Sequence, residues 1–128
     1  MKTFEDLDAF RAALDLIEGV YETTEQFPRT ERYGLVAQMR RAAVSVASNI
    51  AEGQGRLTNG EWRQMLSHAR GSLFELQAQL AIAERLHFAD ETTRDVIRAQ
   101  IASTARPLSG LIRYVREHRQ PTTDNRQP

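Results

Sequence analysis

The sequence predicts an all-α fold, an antiparallel up-and-down four-helix bundle. Three observations carry this. Apolar residues recur in steps of three and four in four stretches, capping and breaking residues fill the gaps between them, and no segment alternates with the period of a strand. Helices are expected over about 6–26, 31–54, 59–87 and 91–118. Short loops between them favour antiparallel neighbours.

The first helix takes its stripe from Leu7, Phe10, Leu14, Ile17, Tyr21 and Thr24. Phe27-Pro28 ends it, because the residue before a proline is pushed out of the helical region. Thr30 is the expected cap of the second helix. Its apolar positions, from Leu35 to Ala51, wrap more than one face, which points to cover on a second side, from a neighbouring subunit in a chain this short. Gly53 and Gly55 are expected to close it. Thr58 with Glu61 three residues on forms a capping box for the third helix. That helix carries Trp62, Leu66, Ala69, Leu73, Leu76, Leu80 and Ala83, and its tail reaches His87-Phe88. Asp90 caps the fourth, whose stripe is Ile97, Ile101, Thr104, Leu108, Leu111 and Val115. Pro107 lies inside that stripe and predicts a kink, or a break into two shorter helices. Residues 1–118 form one domain in this reading, and the polar tail 119–128 is expected to be disordered.

Composition narrows the chemistry. The 128 residues suffice for one core and include no cysteine, so disulfides, thiolate metal sites and cysteine nucleophiles are excluded. The opening MKTFEDLDAF has no apolar core, and no apolar run approaches the ~20 residues of a membrane span. A cytoplasmic protein with no membrane contact is therefore expected. His68, His87 and His118 are scattered, and only Glu84 with His87 matches the Glu-x-x-His pattern of di-iron bundles. Gly53, Gly55 and Gly60 fit neither a phosphate loop nor a dinucleotide fingerprint. No catalytic residue, metal ligand or cofactor is expected. A metal-dependent bundle enzyme stays only as a third alternative.

The net charge is zero, yet the charges are segregated. Before Pro28 there are two basic and seven acidic residues; from Arg29 to Arg70 there are seven arginines and three glutamates. The candidate nucleic-acid contacts are Arg29, Arg32, Arg40, Arg56, Arg63 and Arg70. Aromatic residues are only 7%, so backbone contacts would dominate. A second group, Arg41, Ser45, Asn49 and Glu52, shares one face of the second helix; Gly71, Ser72 and Glu75 lie on the third. These seven are read as a polar network between helices or subunits, and Arg40 with Arg41 as the centre of a possible phosphate site. Gly71, in mid-helix, suggests close approach of another backbone.

The same residues resemble a known signature. Phe27-Pro28, Glu31 to Leu35, Gln38 to Ala42, Ser45 and Asn49 to Gly53, followed by Ala69 to Leu76, look like the motifs of the proteins encoded in 23S ribosomal RNA intervening sequences. The resemblance spans roughly residues 4 to 117. It implies an antiparallel four-helix bundle assembled as a ring-like homopentamer, without established enzymatic activity. The chain is also similar to the accessory variability protein of diversity-generating retroelements, a basic pentamer that binds nucleic acid and a reverse transcriptase. It departs from that relative in its pI near 6.8 and its acidic first helix. The expected function is an oligomeric binding or scaffold protein whose partner is a protein or a nucleic acid. The alternative is RNA or DNA binding by an arginine surface on helices two and three.

Overall fold

The computed structural model describes residues 3–118. They form four α-helices and no strand: α1 (Asp8–Thr24), α2 (Leu35–Gln54), α3 (Asn59–Arg85) and α4 (Glu91–Glu117). The expected tail, 119–128, lies outside the described residues. α1 packs on α2 and α4, and α3 packs on the same two, so the helices close into a four-membered ring in cross-section. Neighbours run antiparallel. Arg40, early in α2, reaches Thr24 at the end of α1. Asn59, opening α3, reaches Val115 and His118 at the end of α4.

The α3 stripe is buried as the spacing predicts, from Trp62 through Ala83, and so are Ile97, Ile101, Thr104, Leu108 and Val115 of α4. Thr104 enters the core without an orphan hydroxyl because Oγ1 donates to the Gln100 carbonyl at 2.9 Å. α4 runs unbroken through Pro107, with Thr104 and Leu108 buried on either side of it. The Thr58 hydroxyl accepts from the Glu61 amide (3.1 Å), and the Asp90 carboxylate from the Thr93 amide (2.8 Å), so both expected caps form.

Four local expectations need correction. Leu7 and Thr24, the ends of the expected α1 stripe, are buried, but between them the buried face is Ala9, Ala13, Leu16, Gly19 and Val20, one residue back from the expected positions. Leu14 and Tyr21 are more than two-fifths exposed, and Phe10 and Ile17 pack only at the core edge. The spacing alone does not fix that rotation, which depends on how α1 fits against α2 and α4 together. The second helix starts at Leu35, after a short 3-10 turn at Arg29–Glu31. Thr30 lies within this turn, and Glu31 Oε1 instead accepts from the Leu35 amide at 3.2 Å. Gly53 stands inside α2 and permits packing: a Cβ there would fall 2.9 Å from Trp62 Cδ1. α3 stops at Arg85. His87 takes a left-handed φ of 65°, while its amide and that of Phe88 return to Glu84 and Ala83, a Schellman closure.

Candidate functional site

Three of the seven motif side chains meet across the α2–α3 seam. The Ser72 hydroxyl donates to Ser45 Oγ at 2.9 Å, and Asn49 Nδ2 donates to the same oxygen (2.9 Å) and to the Ser45 carbonyl (2.8 Å). Ser72 is buried, whereas Ser45 and Asn49 are half-buried, so the chain of bonds opens at the outer surface. Antiparallel packing brings this about by setting the middle of α2 against the middle of α3. The other four residues stay outside it. Glu52 pairs with Arg56 at 2.9 Å, and Glu75 accepts from Gln79 at 3.3 Å. Arg41 is exposed and has no ion pair among the described residues. Gly71 is also exposed, and a Cβ there would meet nothing within 4 Å, so no backbone of its own chain explains this glycine.

The candidate arginines do not form one surface. Arg40 is a structural tie: Nε donates to Thr24 Oγ1 (2.9 Å), Nη2 to Glu25 (3.1 Å), and the guanidinium lies 4.4 Å from the Tyr21 ring centroid. With those donors engaged and only about a quarter of its side chain exposed, it is a poor partner for phosphate, and the pair Arg40–Arg41 does not form a phosphate centre. Arg56 is held by Glu52 and packed on the Met65 sulfur. Arg29 and Arg32 are exposed at the 3-10 turn before α2.

Arg63 and Arg70 line a cleft of about 470 Å³ between α3 and α4, together with Arg116, Ser67, His68 and Ile112. No carboxylate lines it. The sequence reading missed Arg116. The available signal was the end of helix four, where Val96 to His118 holds four arginines and one glutamate. Across α4, a second cleft of about 320 Å³ has the opposite character, lined by Asp15, Glu18 and Glu22 of α1 with Gln100 of α4.

The histidines remain apart. His68 lies in the arginine cleft, His87 at the α3 terminus, and His118 stacks on Tyr114 with ring centroids 4.2 Å apart. The Glu84 carboxylate beside His87 is taken up by Arg94. Among the described residues no group of three or more histidines and carboxylates is placed to hold a metal ion. Among the described residues no helix is long and apolar enough to cross a membrane.

The sequence model of the family described as 23S rRNA-intervening sequence protein matches residues 5–110. The chain belongs to that family. The match to this 23S rRNA-intervening sequence protein takes in α1, α2, α3 and most of α4, including the whole serine–asparagine seam; Arg113 and Arg116 lie beyond it. A search of curated proteins gives no match.

Proposed function

We propose that this intervening-sequence protein is a non-catalytic cytoplasmic scaffold that assembles into a ring-like homopentamer and presents its outer surface to a protein or nucleic-acid partner. The number of subunits follows the family resemblance. The observation that carries assembly is the outer face of α2 and α3. There, half-buried Ser45 and Asn49 reach the surface beside exposed Val44 and Arg41, and Gly71 leaves a gap with nothing in it. A glycine in a helix interior costs about 1 kcal/mol against alanine. Close approach of a helix from a second copy gives that cost a reason, and buried hydrogen-bonded groups fix the register of such contacts.

Light scattering tests the reading. The chain should show a mass several times 14.6 kDa. Arg41→Glu and Gly71→Leu should lower it toward the single-chain mass without loss of helicity. A 14.6 kDa particle for the unaltered chain, or both variants keeping the full assembly mass, rejects it.

A further inference from the structure

The geometry points to the α3–α4 seam as a binding channel for a single-stranded nucleic acid, with phosphates on its arginines and a base on Phe74. This rests on the partner half of the reading above and deepens it.

The channel has two parts. The first is the 470 Å³ cleft, where Arg63, Arg70 and Arg116 converge with the Ser67 hydroxyl. Arg63 and Arg116 have no ion pair or hydrogen bond among the described residues, and Arg70 has none to a carboxylate; all three are exposed. Three unneutralised guanidinia from two helices, with no acid in the lining, form a local positive field in a chain of zero net charge. Guanidinium matches phosphate oxygens in a bidentate way, which lysine does not.

The second part is a smaller neighbouring cleft of about 220 Å³ that shares Arg70 with the first. Its other walls include Leu73, Phe74, Ala105 and Leu108. Phe74 is 57% exposed, and the Arg70 guanidinium stands 5.3 Å from its ring centroid. A large aromatic ring left in water beside a cation has the makings of a stacking platform. Single strands are held by cationic tracks with aromatic rings along them, and a duplex offers no free base face to such a ring. The channel is bounded at both ends: Asn59 ties α3 to α4 at one, and Glu84 with Arg94 does so at the other.

Fluorescence anisotropy with a labelled single-stranded RNA of about twelve nucleotides tests this on the full chain. Three phosphate contacts predict that affinity falls roughly twentyfold between 50 and 200 mM salt. Arg63→Glu with Arg116→Glu should weaken binding at least tenfold. Phe74→Ala should weaken RNA binding about fivefold or more and leave binding of inorganic polyphosphate unchanged, which separates a strand from a phosphate source without bases. Circular dichroism and light scattering on the same variants should show unchanged helicity and mass, so a failed assembly is not mistaken for a failed channel. Absence of RNA binding at 50 mM salt overturns the inference. So does an unchanged affinity in the double arginine variant, or equal loss of RNA and polyphosphate binding in Phe74→Ala.

Discussion

α4 has two seams, and they differ. Against α1 it packs closely: Gly19 is buried, a Cβ there would lie 2.0 Å from the Gln100 amide oxygen, and Gln100 reaches the Asp15 carbonyl. The rim of that seam is acidic. Against α3 the helix is tied at its ends, and three exposed arginines line a cleft of about 470 Å³. Both seams are antiparallel helix contacts with the same apolar interior. Carboxylates of α1 on one side and arginines on the other set the charge, so a neutral chain presents one acidic and one basic groove. Fold class fixes neither property.

The close seam should be the less tolerant of added bulk. Gly19→Leu must displace the Gln100 side chain, and should cost about 3 kcal/mol, the upper end for overpacking. Urea denaturation checks this; a loss under about 1 kcal/mol would mean that the Gln100 side chain swings aside and the seam is not tight.

The open seam should depend on its ties. Asn59 Nδ2 donates to the Val115 carbonyl (3.3 Å) and the His118 carbonyl (2.6 Å). Asn59→Ala leaves both end carbonyls without this donor and should cost about 2 kcal/mol. Hydrogen exchange should then speed up in the last turn of α4 before it does elsewhere. Uniform acceleration along α4 would contradict a local tie.

The smallest effect concerns the start of α4, which both seams share. Hydrogen bonds from Thr93, the backbone amide foremost, hold the Asp90 carboxyl below its ordinary value of 3.8. Folding favours the ionised form, so the stabilisation is complete above that ordinary value and fades as pH falls through the lowered one. The difference in Tm between the native chain and Asp90→Ala should therefore narrow below pH 3.8. A constant difference would show that the cap acts without its charge.

The outcome for each helix separates local from non-local information. The stripes of α3 and α4 and the caps at Thr58 and Asp90 are legible in the sequence, because each depends on residues three or four apart along one helix. The serine–asparagine motif is legible as a set of polar residues on one face, and Ser45 with Asn49 follows from their i, i+4 spacing. The same holds for an unbroken stripe across Pro107.

Other features depend on how the helices rotate and approach one another. Spacing gives α1 an amphipathic character, but whether Leu14 or Ala13 faces inward depends on fitting one rod between two others at close range. Arg40 and Arg63 look alike in sequence; the end of α1 occupies the first, and the second opens toward Arg116, more than fifty residues on. The Ser72–Ser45 bond likewise joins residues twenty-seven apart. The sequence by itself determined how many helices form, where most of them end and which stripes of α3 and α4 turn inward, since periodicity and capping act within a turn or two. Tertiary packing alone decided the rotation of α1 and which arginines stand together in an open groove, because those depend on side-chain sizes on separate helices meeting in space.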